Sequence, residues 1–481
     1  MESLQEMLKM SSQEFDCKIV IQCLREYEQK LRIDQNRLGI QLEDFAALET
    51  ILTFLTDRIA FCRSVDLSVS DLWNEWDLLL QCMTYCFRVV RNACVENCTN
   101  QDIALQCHLH ESAIKILYLV FTVQDTVISV HTLNQDNRGI FVALQVGIQM
   151  LGNLVTQNDT NKDSVWKSCY PGFVRHVLNC ADTKAMEYMC MVIYNCLDNK
   201  RGRQLACADC KDIREGIIRL SRSGDAEWSL LVLDQLICLG HFPVLVDATT
   251  DTNARVILLD MLAQLFSGTS QPMATATQSS DISKIGEDTV NTVSSLFSST
   301  AVNNSSSDNS SLRLTECLVH TLCCLSADER ILVFVQAQQD VLIKAVSLLI
   351  SIVTNASAQE KVAATSLPVD CGSSIKRDLV RLIGNLCYQN QTNQCKVREI
   401  GGIPAILSAC NIDDSNPFIR EWAVFAIRNL CDGNVENQAL ISQLEQQGMV
   451  DSPLWNQLGL EVSIGPDGTP KVRTKRPQSE T

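Results

Sequence analysis

Leu379-Val-Arg-Leu-Ile-Gly-Asn-Leu-Cys387 and Ala423-Val-Phe-Ala-Ile-Arg-Asn-Leu-Cys431 are two copies of one pattern, displaced by 44 residues (385 to 429). Asn385 falls on Asn429, Leu386 on Leu430 and Cys387 on Cys431, and the match continues: Asn390 on Asn434, Asn393 on Asn437, Gln394 on Gln438. The same asparagine triplet recurs earlier as Asn92, Asn97 and Asn100, with Gln101 next, and as Asn153, Asn158 and Asn161. A degraded fifth copy reads Asn195-Cys-Leu-Asp-Asn199. Recurrence at a fixed period is the signature of a repeat architecture, in which each unit buries its apolar face only by stacking on its neighbours.

The chemistry of asparagine explains the recurrence. The first member ends an apolar-periodic helix. The second stands where that helix stops, and asparagine tolerates the left-handed conformation of a C′ position. The third precedes a new apolar run, where its side chain can cap exposed N–H groups. Two readings of the first asparagine stay open: it serves only caps and turns, or it stands on a ligand-facing surface. Gly401-Gly402-Ile403-Pro404 and Ser415-Asn416-Pro417 add corners at which a next helix can begin. Each unit is thus a short helix, a second helix after a glycine-proline corner and a longer third helix, at the period of about 40–47 residues typical of armadillo and HEAT arrays. The predicted fold is all-α, an armadillo/HEAT-like right-handed superhelical solenoid of two- or three-helix repeats.

Composition agrees. In 481 residues there are only 10 prolines and 20 glycines, hydrophobic residues make up 46% and aromatics 6%, which favours helices over strands. Residues 1–266 read as N-terminal repeats, 267–311 as a disordered Ser/Thr/Asn-rich insertion, 312–460 as C-terminal repeats and 461–481 as a flexible basic tail. A shorter interruption spans Ser357 to Ser374. The net charge of −16 makes nucleic acid a poor partner, because phosphate binding needs a basic face. The one dense basic run, Lys471, Arg473, Lys475 and Arg476, reads as a solvated tail or as a localisation or acidic-partner motif. The first sixteen residues lack a signal-peptide core. The apolar runs Ala113–Val123 and Val341–Val353 each contain a lysine and fall short of the roughly 20 residues a membrane span needs. A soluble, intracellular protein without membrane insertion is expected.

The 23 cysteines sit inside apolar helical patterns and read as small core residues. Cys207-Ala-Asp-Cys210 is a lone CxxC, and Cys94, Cys98, Cys107, His108 and His110 have the spacing of no standard zinc finger. With six histidines, no phosphate-binding loop and no dinucleotide turn, neither catalysis nor a cofactor or metal is expected. The last full repeat is more informative. Ile419, Ala423, Ala426, Ile427 and Leu430 follow the spacing of a core face. Trp422, Phe425 and Asn429 share the neighbouring face, and their equivalents one repeat earlier are Asp378, Arg381 and Asn385. These six are the candidate protein-binding residues: an aromatic patch beside a charged one resembles an interface centre with a polar rim, while the other reading packs Trp422 and Phe425 against the next helix.

From Asp378 to Glu445, the stretches Leu386-Cys-Tyr-Gln-Asn-Gln-Thr-Asn-Gln394, Gly401-Gly402-Ile403-Pro404 and Asn416-Pro-Phe-Ile-Arg-Glu-Trp-Ala-Val-Phe-Ala-Ile-Arg-Asn-Leu430 resemble the C-terminal signature of the ataxin-10 family. The resemblance implies an armadillo-like fold, no catalytic activity and homo-oligomerisation. It also implies roles in neuronal survival, neurite outgrowth, cytokinesis and centrosome or ciliary-base biology, in a cytoplasmic and perinuclear protein that also reaches the midbody and basal body. The partners it implies are the O-linked N-acetylglucosamine transferase and a G-protein β subunit. Importin-like armadillo repeats place a tryptophan four residues before the groove asparagine, whereas here those positions are Gln149, Met191, Arg381 and Phe425. The departure favours a scaffold over the alternative, a groove-type transport or chaperone receptor.

Overall fold

The structure, a computed structural model, describes residues 16–32, 40–64, 70–127, 138–267, 284–300, 309–360, 373–410, 418–443, 460–464 and 470–474. The N-terminal helices are α1 (Cys17–Leu31), α2 (Leu42–Ser64), α3 (Ser70–Ala93), α4 (Cys98–Gln106), α5 (Leu109–Val127), α6 (Arg138–Val155), α7 (Asp159–Cys169) and α8 (Gly172–Leu178). Then come α9 (Thr183–Cys196), α10 (Asn199–Ala206), α11 (Lys211–Leu220), α12 (Trp228–Cys238), α13 (Phe242–Asp247), α14 (Thr252–Phe266) and α15 (Glu287–Ser299). The C-terminal part holds α16 (Asn309–Leu325), α17 (Glu329–Gln336), α18 (Gln339–Glu360), α19 (Ser373–Leu386), α20 (Gln391–Glu399), α21 (Gly402–Ser408), α22 (Ile419–Cys431) and α23 (Val435–Gln443).

The third helices of successive units form one layer: α1 packs on α3, α3 on α6, α6 on α9, α9 on α12, α12 on α14, α14 on α16, α16 on α19 and α19 on α22. In a second layer α2 packs on α5, α8 on α11, α13 on α15, α15 on α18 and α18 on α21. One contiguous apolar core runs between the layers from Val20 to Leu430, so the chain is a single continuous solenoid. In α22 the expected face is the buried one: Ile419, Ala423, Ala426 and Leu430 are enclosed and Ile427 half-enclosed. Among the described residues no single helix is long and apolar enough to cross a membrane.

The asparagine triplet does its work one step out of phase with expectation. The left-handed residue is the one before the second asparagine: Glu96 (φ 51°), Gln157 (56°), Gln389 (49°) and Gly433 (66°). The second asparagine is itself the N-cap. Asn97, Asn158 and Asn390 lie in extended conformation and, like Asn434, accept from the backbone N–H three residues on at 3.0–3.1 Å. The third is a buried clamp. Asn100, Asn161, Asn393 and Asn437 each donate Nδ2 to the carbonyl seven residues back, at 2.7, 3.0, 2.9 and 2.7 Å, on Ala93, Leu154, Leu386 and Leu430. The amide thus seals a carbonyl left open where the third helix ends. In the degraded copy Asp198 caps and the Arg201 guanidinium takes the clamp position, donating to the Cys196 carbonyl at 2.6 Å.

Two further expectations are corrected. The stretch 267–311, expected to be disordered, contains α15, whose Val290, Val293 and Phe297 are fully buried in the second layer. Those three apolar side chains at i, i+3 and i+7 suffice to dock a helix, and burying Phe297 alone contributes about 2 kcal/mol. Lys344 of α18 fastens its end by donating to the carbonyls of Phe297 and Thr300. The remainder of that stretch, 268–283 and 301–308, lies outside the described residues, as do 361–372 of the shorter interruption. The tail expected to be flexible forms an antiparallel hairpin, β1 (Leu460–Ile464) with β2 (Pro470–Thr474), with Val462 opposite Val472. Lys475 and Arg476 lie outside the described residues.

Candidate functional site

The candidate residues occupy three aligned positions on the third helices: seven residues before the first asparagine, four before it, and the asparagine itself. On α22 these are Trp422, Phe425 and Asn429; on α19, Asp378, Arg381 and Asn385. The structure joins them along a diagonal. The Arg381 guanidinium lies 4.7 Å from the centroid of the Trp422 ring, a cation–π arrangement. Phe425 presents an edge to Trp422 at 6.1 Å and 88°. Gly384 of α19 makes room for this cluster, since a Cβ there would come 3.0 Å from the Ala426 Cβ and 3.5 Å from Phe425 Cδ1. Both rings and Arg381 remain half-buried.

Asp378 turns the other way. It is 5% exposed, and its carboxylate meets His320 Nδ1 of α16 at 2.9 Å and accepts from Arg377 Nε at 3.0 Å. Burial alone would raise this carboxyl, but the His320 hydrogen bond and Arg377 hold it below its ordinary value. The same hydrogen bond, with one from Cys324, pushes His320 up to about 10. A folded-state value above the unfolded one stabilises the fold fully below about pH 6.5, and the gain fades as pH rises through 10. His320→Gln is therefore expected to lower urea stability most near pH 6, with the gap to wild type narrowing steadily towards pH 10. A gap independent of pH contradicts this.

The two candidate asparagines act within the framework. Asn429 is buried and donates to the Gly384 carbonyl at 2.9 Å, and Asn385 donates to Ser326 Oγ at 3.0 Å. Asn153 does the same to the Arg91 carbonyl at 2.9 Å. The first asparagine thus ties its repeat to the one before, a role that neither of the two readings left open describes. The glutamine after the third asparagine ties forward. Gln101 Nε2 donates to the carbonyls of Asn153 (2.8 Å) and Thr156 (3.3 Å), and Gln394 Nε2 to those of Asn429 (2.9 Å) and Asp432 (3.2 Å). Gln336, unmarked in the sequence, repeats the geometry on Asn385 (3.3 Å) and Tyr388 (2.8 Å). His320, Arg377 and Gln336 are the participants that sequence reading missed; the recurrence of Gln101 and Gln394 was the available signal for the third.

The other positions four before an asparagine are also taken up between repeats. Gln149 accepts from Arg91 Nη1 at 2.7 Å, and the Met191 methyl fills the space over Gly152, 2.2 Å from where a Cβ would stand. Among the described residues no group of three or more His, Cys, Asp or Glu side chains is arranged to hold a metal. Cys207 is exposed while Cys210 is buried, with the Tyr170 hydroxyl 2.7 Å from its sulfur. Cys94 is buried and Cys98 exposed. Burial pushes the thiols of Cys94, Cys169, Cys323 and Cys387 well above their ordinary range, as suits core cysteines.

Two helical layers built from asparagine-clamped units, with a half-open aromatic and arginine cluster on the last two third helices, define an armadillo-like helical-repeat scaffold. Solved structures of this kind are similar to the chain. A chain from a structure solved in work on the interaction between cadherin and β-catenin covers 92% of this chain and 72% of its own, at 12% identity and a TM-score of 0.37. A computationally designed armadillo repeat protein for modular peptide recognition covers 61% and 94%, at 14% identity and a TM-score of 0.26. The family described as the spinocerebellar ataxia type 10 protein domain matches residues 375–473. Ataxin-10 of Macaca fascicularis is 31% identical over 405 residues and that of Homo sapiens 30% over 403, each covering 80% of both chains. The ataxin-10 homolog of Dictyostelium discoideum is 50% identical over 98 residues, 20% of this chain and 16% of its own. The chain belongs to the ataxin-10 family.

Proposed function

We propose that the chain is a non-enzymatic scaffold whose helices α19 and α22 carry a protein-docking face centred on Trp422 and Phe425. The observation that carries this reading is the contiguous Arg381–Trp422–Phe425 cluster, left half-open beside the enclosed Ala423 and Ala426. Aromatic and arginine side chains are the residues that anchor interface centres. The partners proposed are those that the resemblance to the ataxin-10 family implies: the O-linked N-acetylglucosamine transferase, a G-protein β subunit and further copies of the chain itself. The setting is cytoplasmic and perinuclear, extending to midbody and basal body, in neurite outgrowth and neuronal survival, cytokinesis and ciliary-base biology. Self-association draws support from the last described helices, where Phe418, Val424 and Val435 are 73%, 56% and 75% exposed. There Gln438 bonds back to the Cys431 carbonyl at 2.7 Å.

The test uses purified components. Trp422→Ala/Phe425→Ala, shown by circular dichroism to be folded, is titrated with the transferase and with the β subunit, and its oligomeric state is measured by light scattering. At least one of these associations is expected to weaken by about tenfold or more, the loss typical of truncating an interface anchor. A folded double variant that keeps every affinity and its oligomeric state sinks the proposal.

A further inference from the structure

At the other end of the layer an arginine cluster surrounds a tyrosine. Arg25 of α1 donates Nε to the Tyr85 hydroxyl of α3 at 3.1 Å, and its guanidinium lies 5.2 Å from the Tyr85 ring centroid. The Arg88 guanidinium lies 5.1 Å from the same centroid. One turn on, Arg91 donates to Gln149 Oε1 at 2.7 Å and to Asn92 Oδ1 at 3.1 Å, both neutral acceptors. The buried carboxylate nearby, Glu28, is already saturated. It accepts from Arg32 at 3.1 and 3.3 Å and from Asn92 Nδ2 at 2.9 Å. Glu26, beside Arg25, accepts from Gln22. Among the described residues, Arg25, Arg88 and Arg91 have no ion pair. Burial and then the neighbouring Arg88 push the Arg91 guanidinium down from its ordinary value, with Glu28 opposing them, yet it stays charged at neutral pH.

In a chain of net charge −16, three unpaired guanidiniums held together by a tyrosine and two amides are a local inversion of sign. At physiological salt the field reaches about 8 Å, so an approaching group feels the cluster rather than the net charge. We infer that the α1–α3–α6 face, through Arg25, Arg88 and Arg91, docks an acidic, carboxylate-rich peptide segment of a partner protein. Guanidiniums on two adjacent helices, Arg25 on α1 and Arg88 and Arg91 on α3, offer forked donors to successive carboxylates. The Tyr85 ring already carries its own two guanidiniums, which leaves no open aromatic platform for a nucleic-acid base.

The probe is a fluorescent oligo-glutamate peptide, with oligo-glutamine and oligo-thymidine as comparators, read by anisotropy on the full chain. Oligo-glutamate is expected to bind at low salt, to weaken as salt rises, and to lose about tenfold or more in affinity in Arg25→Glu/Arg88→Glu. Arg25→Gln/Arg88→Gln, which removes the charge and keeps a polar, shorter side chain, is expected to lose several-fold. Arg420→Glu/Arg428→Glu and Trp422→Ala/Phe425→Ala should bind the peptide as wild type does, so this inference and the C-terminal docking face can fail separately. The inference is overturned by unchanged affinity in either folded arginine variant, by equal binding of oligo-glutamine, by tighter binding of oligo-thymidine, or by no binding of oligo-glutamate at low salt.

Discussion

Asn393→Ala is expected to destabilise the C-terminal repeats by about 3 kcal/mol, because it strips partners from several buried polar groups at once. The Asn393 amide donates to the Leu386 carbonyl at 2.9 Å and to the Gln336 carbonyl at 3.1 Å, and its oxygen accepts from Gln339 at 2.6 Å. The side chain is wholly enclosed, so no water replaces those bonds. Alanine fits the space but leaves the helix-end carbonyl bare. Asn390→Ala, which removes only the N-cap bond at 3.0 Å, is the internal contrast and should cost about 1 kcal/mol. Repeat arrays lose stability locally, so the loss should appear by hydrogen exchange in α19–α22 before α3–α9. Equal costs for Asn390 and Asn393 would show that the clamp is no more than a cap.

Gly384→Val should cost about 3 kcal/mol through overpacking, offset by roughly 1 kcal/mol from better helix propensity. At this crossing a first side-chain carbon already lies 3.0 Å from the Ala426 Cβ and 3.1 Å from its Cα. That second atom is backbone, so the helix itself must move. Valine adds two more methyls and forces α22 away from α19. The separation also pulls Asn429 Nδ2 off the Gly384 carbonyl, now 2.9 Å away, and takes Trp422 from beneath Arg381. The variant should therefore lose C-terminal stability together with any binding at the Trp422 face. Gly384→Ala needs a shift of only a few tenths of an ångström and should be close to neutral. A valine variant as stable as wild type would contradict the close crossing.

The repeat was legible because one residue type marks it. Asn385 and Asn429 set the period, and the glycine-proline corner at 401–404 set the division into helices. The amphipathic spacing on α22 also placed Trp422, Phe425 and Asn429 together and set Arg381 opposite them. The phase of the triplet was harder to read. The left-handed site falls on Glu96, Gln157 and Gln389, residue types with no strong preference for it, so the asparagines were credited with a conformation that their neighbours adopt. Helix α15 escaped notice because its three anchors, Val290, Val293 and Phe297, were averaged over a Ser/Thr-rich stretch. The hairpin escaped because a basic, proline-flanked tail suggested disorder, although Leu460, Val462 and Ile464 alternate as a strand requires. The His320–Asp378 pair spans 58 residues, not the 44 of the clean repeat, because the chain between α18 and α19 is interrupted; fixed-period matching could not find it.

The third helices thus carry two different surfaces, one arginine-rich around Tyr85 and one aromatic around Trp422, on a framework that asparagine and glutamine amides hold in register. The central claim is that the Trp422 face is where a protein partner docks. Hydroxyl-radical footprinting tests it directly, because it reads the solvent exposure of individual side chains with and without a bound partner. Oxidation of Trp422 and Phe425 is expected to fall on binding the transferase, the β subunit or a second copy of the chain, while Trp166 and Tyr194 stay unchanged. If all three complexes form and neither Trp422 nor Phe425 is protected in any of them, the face is not a docking site.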